Sequence, residues 1–415
     1  MKRVLIIIAS IIVLVGVGVG IYFFFFSKTG GLALSPTNSF PSSENSGSSE
    51  TSQTRSQELG VAVAGAGTEV APRLIRISDV PVAVGAAATF VPGKIATSSG
   101  STTTPATTAY SVDPDVRISY IERESGNVYE FMSHARSLTR MSNKTLPGIQ
   151  EAVWSADGSL AFARFLEKIG VDERVSTFAL PHTGEGGYLL QNNISQVLVT
   201  GSSTLITLTP TSDGSVATVS TLSGGGVGTL FTSALSSLRL SSGRGLLLAT
   251  TKAGVQNKGF SFSVDAKSGA FTRVLGPLSG LTTLVSPSGR YILYSYIDRK
   301  SIALSVYDTT LKSATRLPLS TLTEKCTWSA DSLSVFCGVP TAVTGTYPDD
   351  WYQGVVHSSD RLWRIDVADR VATQLIDPKT VGNVDIDAVA LSVDPTTDVL
   401  VFTNKTDKTL WLYDL

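Results

Sequence analysis

A repeated phrase along the chain constrains the fold more than any other feature. Segments that read as strand, tight polar turn and strand recur at a period of about 43 residues. Four copies are "WSADGSLAFARF" from Trp154, "SPSGRYILYSYI" from Ser286, "WSADSLSVFCGV" from Trp328 and "VDPTTDVLVFTN" from Val393. Gly and Asp suit the turns, and apolar residues alternate along the flanking strands, so each copy predicts a β-hairpin.

A second phrase follows the hairpins and completes the repeating unit. Strands that end at Asp265, Asp308 and Asp366 are each followed, at constant spacing, by a Thr-Arg or Thr-Gln phrase that reads as an outer strand. The segment from Gln191 to Leu235 matches less well but keeps the strand pattern. Four antiparallel strands in a repeat of this length predict an all-β propeller.

The two ends of the repeat region predict how the propeller closes. "RLIRISD" from Arg73 has the form of the outer-strand phrase "SLTRMSN" from Ser137, while the last repeat, ending at Asp414, lacks an outer strand. We expect the N-terminal strand to complete the C-terminal blade, because an open edge would invite aggregation. Counting from Val84 then predicts seven blades, with six or eight as alternatives if the weak middle is miscounted.

These phrases resemble the repeats of the TolB-like, WD-repeat-like propellers, in which Ser-Pro-Asp-Gly turns and a Thr-Arg-Leu outer strand recur in each blade. The resemblance runs from Arg73 to the C-terminus and implies a β-propeller domain over residues 72–415. We expect no separate globular domain before the propeller, so the resemblance does not imply a role in the Tol system.

The N-terminal region predicts a membrane anchor. Val4 to Phe26 form an apolar run of about 23 residues, enough to cross a bilayer as a helix. Lys2 and Arg3 place residues 1–3 in the cytoplasm and the rest of the chain outside it. A cleavable signal peptide is the alternative, although its apolar core would be shorter.

Two polar segments read as connections rather than as folded structure. Residues 27–71 are rich in Ser, Thr, Gly and Glu, with few large apolar side chains that could form a core, so we expect a flexible stalk. The polar patch from Ala96 to Thr108 reads as a loop within the folded part.

Composition and motifs exclude several functional classes. Charged residues make up 16% of the chain and the net charge is −1, so no basic field exists to attract nucleic acid. No Gly-x-Ser-x-Gly elbow or nucleotide-binding loop is present. We predict no cofactor and no metal, since neither metal-ligand spacing nor a calcium loop is formed by the candidate residues His134, His182, His357, Asp113, Asp115, Asp385 and Asp394.

One repeat is about 15 residues longer than the others, and the excess falls between "VFCGVP" and "LWRIDV". Loops of this class share a propeller face with the connections that lead into each inner strand. Aromatic side chains beside carboxylates could bind a partner there, or could fold back and plug the channel. The predicted binding residues are Tyr347, Asp349, Asp350, Trp351, Tyr352, Glu151, Lys325 and Asp387.

The two cysteines of the chain predict a disulfide bond. Cys326 and Cys337 are equidistant from the turn at Asp331 and Ser332, so hairpin pairing places them opposite each other. An oxidising compartment would preserve the bond. The alternative is a pair of reduced, buried thiols.

The function predicted from these features is that of a non-enzymatic binding or scaffold module at the cell envelope. The expected partners are an envelope protein or glycan, and the membrane through the N-terminal helix. The alternative is an envelope polysaccharide hydrolase or lyase that uses carboxylates facing the channel. Two accessible carboxylates about 5–10 Å apart beside a cation would favour the enzyme.

Overall fold

The strands are arranged as consecutive blades around a channel. The computed structural model describes residues 72–97, 109–143, 146–169 and 172–415. Within these residues the strands form seven four-stranded antiparallel sheets and one short separate hairpin. The inner strands of successive sheets contact one another. The fold is therefore a seven-bladed β-propeller, and the predicted all-β class and blade number are confirmed.

Each blade contributes an inner, a second, a third and an outer strand. Blades 1 to 4 consist of Ala87–Val91, Asp115–Ile121, Val128–Met132 and Ser137–Arg140; Ile149–Trp154, Leu160–Ile169, Asp172–Pro181 and Tyr188–Leu189; Gln196–Thr200, Thr204–Thr211, Gly214–Thr221 and Gly228–Ser233; and Leu238–Gly243, Leu246–Thr251, Lys258–Val264 and Phe271–Ser279. Blades 5 to 7 consist of Thr282–Val285, Tyr291–Asp298, Ser301–Asp308 and Ser313–Arg316; Cys326–Trp328, Ser334–Pro340, Asp360–Asp366 and Ala372–Ile376; and Ala388–Val393, Val399–Asn404, Leu410–Asp414 and Leu74–Arg76.

The N-terminal strand closes the ring. Leu74–Arg76 is the outer strand of blade 7 and pairs with Leu410–Asp414, with Ile75 opposite Leu412. The Arg73 side chain adds a hydrogen bond to the Asp414 carbonyl at 3.0 Å. The predicted closure is confirmed.

The repeated polar turns are fixed by local hydrogen bonds. In blade 2 the Asp157 carboxylate accepts hydrogen bonds from the Ser155 hydroxyl at 2.6 Å and the Ser159 amide at 3.1 Å. The Ser155 hydroxyl bond is the main reason that the pKa of Asp157 is lowered. Gly289 occupies the turn of blade 5 at a φ of 74°, where a Cβ would lie 2.2 Å from the Arg244 carbonyl oxygen. Only glycine fits there without displacement.

The core consists of apolar layers between neighbouring blades. Phe336 and Leu362 of blade 6 pack with Leu400, Phe402 and Trp411 of blade 7 in one such layer, and all five are buried. Burying a side chain of this size stabilises the fold by about 1.5–3 kcal/mol. Alternating strand residues therefore hold the blades together.

In the described part of the chain, three short helices lie in the connections. They are the 3-10 helix Thr323–Lys325 and the α-helices α1, Asp349–Gln353, and α2, Pro378–Gly382. Helix α1 lies inside the long insert of blade 6. No helix among the described residues is long and apolar enough to cross a membrane.

Some predictions concern residues that the structure does not describe. The transmembrane helix at 4–26 and the stalk at 27–71 lie outside the described residues. The polar patch from Ala96 to Thr108 is not all loop, because Ala96 and Thr97 belong to the strand Lys94–Thr97, which pairs with Ala109–Val112. The intervening residues 98–108 are outside the description.

Candidate functional site

The insert of blade 6 covers the channel on one side of the propeller, here called the upper face. This face carries the connections between second and third strands. Trp351 of α1 is only 4% exposed and packs in one cluster with Ile302 of blade 5, Val389 of blade 7 and Leu322. Tyr347 is buried in the same cluster. These two aromatic side chains of the insert thus pack against residues of several blades at once.

Polar contacts fix the insert in this position. The Asp349 carboxylate accepts a hydrogen bond from the Val255 amide of blade 4 at 2.8 Å, while Asp350 accepts one from the Thr346 amide at 2.7 Å. The Tyr352 hydroxyl donates to the Glu324 carboxylate. Because these contacts reach from blade 6 to blade 4, the insert spans part of the channel mouth.

A buried ionic cluster lies directly beneath Trp351. The Lys325 ammonium contacts Asp387 and lies 2.7 Å from Asp360, and all three side chains are 0% exposed. The Trp351 indole nitrogen donates to both oxygens of Asp387, at 3.1 and 3.0 Å. The Ser358 hydroxyl also donates to Asp387, at 2.9 Å. Burial of an ammonium is tolerated here because two carboxylates compensate it.

The two carboxylates of this cluster differ in pKa. Burial raises the pKa of Asp360, by more than the attraction of Lys325 lowers it, and the nearby Asp387 raises it further. Burial also acts to raise the pKa of Asp387, but Lys325 and the hydrogen bonds from Ser358 and Trp351 outweigh it and lower that pKa. The ionised form is therefore favoured more strongly at Asp387.

The two aromatic rings of α1, Trp351 and Tyr352, each contact a cation from another blade. The Lys405 ammonium of blade 7 lies 4.0 Å from the centroid of the Trp351 ring and donates to the Trp351 carbonyl oxygen. The Arg239 guanidinium of blade 4 lies 5.4 Å from the centroid of the Tyr352 ring. Both contacts connect the insert to other blades.

Glu151 lies away from the buried cluster. It forms a salt bridge with Arg164 of blade 2 and is 44% exposed. Both side chains line an open cleft of about 490 Å³ on blades 2 to 4, here called the cationic cleft. Its charged and hydroxyl-bearing lining includes Glu151, Arg164, Ser236, Ser237, Arg239 and Lys252. The structure thus brings Tyr347, Trp351, Lys325 and Asp387 together and places Glu151 in a separate site.

A second cavity, of about 500 Å³, lies on the inner strands toward the other side of the channel. Its lining is mostly apolar and includes Ala88, Trp154, Trp328 and Leu391. The indole nitrogens of both tryptophans donate to carbonyl oxygens of the preceding blades, at 3.3 Å in each case. These tryptophans therefore connect neighbouring blades as well as lining the cavity.

The candidate metal ligands do not converge. Asp115 accepts hydrogen bonds from the loop at 133–135, Asp385 pairs with Lys379, and Asp394 bonds to its own turn. His357 is 49% exposed, and its Nδ1 lies 3.8 Å from Asp387. In the part of the chain that the structure describes, no three His, Cys, Asp or Glu residues are grouped as metal ligands.

The predicted disulfide is confirmed. Cys326 and Cys337 are directly paired across the first hairpin of blade 6 and are bonded to each other. The bond lies next to Lys325, so it fixes the strand that begins at the buried ionic cluster.

Sequence reasoning did not identify three residues of these sites. Asp360 follows the insert and carries no motif, so only the fold shows its contact with Lys325. Arg239 and Lys252 lie near the same end of one hairpin of blade 4, where Arg239 pairs with Thr250. Hairpin pairing was a signal that could have placed these two cations side by side.

Comparisons with known proteins agree on the fold. No protein-family model matches the chain, and no curated protein matches it. An oligogalacturonate lyase from Vibrio parahaemolyticus is similar in structure, with a TM-score of 0.51, 9% identity, and coverage of 82% of this chain and 93% of that chain. This likeness shows a shared fold.

Two further solved structures are similar at lower scores. An oligogalacturonate lyase in complex with manganese has a TM-score of 0.49 and 10% identity, covering 79% of this chain and 98% of that one. TolB from Acinetobacter baumannii has a TM-score of 0.44 and 12% identity, covering 62% of this chain. The match spans 63% of that TolB chain, less than two thirds of its length. The seven four-stranded sheets of this chain agree with the propeller fold that the resemblance to TolB-like repeats implies.

Proposed function

We propose that this protein is a non-enzymatic binding or scaffold module of the cell envelope, tethered by the apolar run at 4–26. A propeller suits this role because its blades hold surface loops in fixed positions. The ligand binds on the upper face, which the insert of blade 6 shapes. The expected partner is an envelope protein or glycan.

The observation that carries this proposal is the burial of the two carboxylates that share one cation, Lys325. Asp360 and Asp387 both contact Lys325, an arrangement that would suit acid and base catalysis in an open site. Here all three side chains are 0% exposed. A polysaccharide cannot reach them while Trp351 and its cluster remain packed, so the ionic cluster acts as support for the face.

The remaining predicted carboxylates are also engaged in structural contacts. Glu151 is paired with Arg164, and Asp349 and Asp350 accept hydrogen bonds from backbone amides. A catalytic carboxyl group must be free to contact the substrate. These three carboxylates already hold a neighbouring side chain or backbone amide in place, which favours binding over hydrolysis or lysis.

The proposal is tested by capture and by assay. The full-length protein, immobilised, is exposed to envelope extract of its native host, and retained proteins and glycans are identified by mass spectrometry. We expect reproducible capture by the wild type. Lys252→Glu, on the upper face, should reduce capture, whereas Arg273→Gln, on an outer strand, should leave it unchanged. Steady release of cleaved or unsaturated products from envelope polysaccharides or polygalacturonate would instead establish the enzyme.

A further inference from the structure

The charges of the cationic cleft are unbalanced. Arg164, Arg239 and Lys252 line it together with a single carboxylate, Glu151, whereas the whole chain has a net charge of −1. Glu151 is already paired with Arg164. The excess positive charge is therefore local to this cleft and resides on Arg239 and Lys252.

These two cations are available to a ligand. Both residues are exposed, and across the described residues neither has a carboxylate within salt-bridge distance. The Arg239 guanidinium carbon lies over the Tyr352 ring, a contact that uses none of the guanidinium N–H groups as a hydrogen-bond donor to a carboxylate. An ammonium and a guanidinium on one cleft wall are suited to carboxylates, which Arg can bind through two parallel hydrogen bonds.

The cleft is held in shape before any ligand arrives. The Gln196 side chain spans from blade 3 to blade 4, donating to the Leu240 carbonyl at 2.8 Å and accepting from its amide at 2.7 Å. Arg164 is fixed by Glu151 and by a hydrogen bond of 2.9 Å to the Ile194 carbonyl. Rigid walls reduce the ordering that binding requires.

We infer that the cationic cleft binds an acidic peptide segment, with Arg239 and Lys252 holding its carboxylates. This inference rests on the proposed function and names its ligand class. The cleft volume of about 490 Å³ accommodates a few residues. The exposed hydroxyls of Ser236 and Ser237 can bond to the amides of a peptide backbone.

A peptide fits better than an acidic glycan because the cleft lacks an open aromatic surface. No aromatic side chain is part of the described cleft lining. The adjacent ring of Tyr352 has one face covered by Arg239 and its hydroxyl bonded to Glu324. Recognition must therefore come from charge and hydrogen bonds, as in the binding of acidic motifs by Arg clusters.

The test uses the full-length protein and defined probes. Binding of a capped hexaglutamate peptide is measured by fluorescence anisotropy, with hexaglutamine and oligogalacturonate as comparison probes. We expect hexaglutamate to bind, to weaken as ionic strength rises, and to exceed both comparison probes. Arg239→Gln with Lys252→Gln lowers its affinity about tenfold or more.

The matched control is Arg273→Gln with Lys267→Gln, which removes the same charge from exposed residues elsewhere on blade 4. Because Arg239 also stacks on Tyr352, Lys252→Glu is measured separately, and its loss of affinity must appear without a change in melting temperature. Absent hexaglutamate binding, or an equal loss in the control variant, overturns the inference.

Three outcomes distinguish a wrong ligand class from a wrong proposed function. Tighter binding of oligogalacturonate at Arg239 and Lys252, without cleavage, replaces the peptide by an acidic glycan and overturns the ligand class alone. If hexaglutamate does not bind but envelope partners are still captured, the inference fails and the proposed function stands. Cleavage of the oligogalacturonate defeats both.

Discussion

Single side chains decide whether the upper face is open or sealed. Trp351 occupies the position where the sequence suggested a binding surface, yet its indole nitrogen donates to Asp387 and its ring packs among residues of several blades. Lys325 is buried because Asp360 and Asp387 compensate its charge. Because Trp351 and the ionic cluster are buried, the surface that a ligand can reach on this face is formed by the residues around them.

Trp351→Ala is expected to lower the stability of the protein by about 3–5 kcal/mol, because it leaves a cavity and removes the indole donor from a buried carboxylate. The melting temperature in thermal unfolding measures the loss. Val355→Ala, a change at an exposed position of the same insert, is the control. An unchanged melting temperature combined with lost capture would assign Trp351 to ligand binding instead.

Asp115 is expected to make stability depend on pH. Burial acts to raise the pKa of Asp115, but hydrogen bonds from the His134 and Ala135 amides and the Ser133 hydroxyl outweigh it and lower that pKa. The ionised carboxylate thus stabilises the fold above the ordinary Asp value of about 3.9, and this contribution disappears as the pH falls through the lowered folded-state value.

The measurement compares melting temperatures of the wild type and Asp115→Asn across a pH series. We expect a gap near neutral pH that closes as the pH falls below about 4. Asp113→Asn, at the exposed neighbouring position, should show no such gap. A gap that is constant with pH would mean that shape, rather than charge, matters at Asp115.

At the scale of the strand, the propeller depends on two links that join distant or opposed segments. The outer strand Leu74–Arg76 closes the ring against Leu410–Asp414. The disulfide between Cys326 and Cys337 joins the two strands of the first hairpin of blade 6. Neither link contributes a residue to the cationic cleft.

Deleting residues 73–79 from the full chain is expected to lower the melting temperature substantially. Blade 7 then loses its outer strand, and Leu412 and Tyr413 lose their pairing partners. Deleting residues 45–51, an equal length within the predicted stalk, controls for the shortening of the chain. Equal melting temperatures for the two deletions would show that this strand is not needed for closure.

Removing the disulfide is expected to cost about 3 kcal/mol, from the chain entropy of a loop with this short separation. Cys326→Ala with Cys337→Ala should therefore melt at a lower temperature than the oxidised wild type, and reductant should lower the wild-type value toward that of the variant. The variant itself is insensitive to reductant. If reductant leaves the wild type unchanged, or alkylation without reduction labels both thiols, the bond does not stabilise the protein in solution.

The whole molecule shows which parts of this structure follow from sequence patterns. The blades were predictable because turns and alternating residues act locally, and Cys326 and Cys337 followed from hairpin symmetry. The burial of Trp351 was not predictable from the sequence. Its partner Asp387 lies in another blade, and no local pattern fixes how an insert folds back. Asp360 escaped notice because it carries no motif, although its partner Lys325 belongs to the same blade. Contacts between blades depend on the closed ring, which a repeat pattern does not specify in detail.

Attachment to the membrane determines where the whole molecule lies in the cell, and it can be tested only on the full chain. The apolar run from Val4 to Phe26 is long enough to cross a bilayer, and the basic residues before it favour an orientation with the propeller outside the cytoplasm. In fractionated cells of the native host, the full chain should remain in the membrane pellet after an alkaline wash. Deleting residues 4–26 should prevent export and leave the protein soluble, whereas deleting residues 45–51 should change neither property. Mass spectrometry of the mature N-terminus tests the signal-peptide alternative: a chain that begins beyond Phe26 and is found in the soluble envelope fraction would show that the run is cleaved and that the propeller acts free of the membrane.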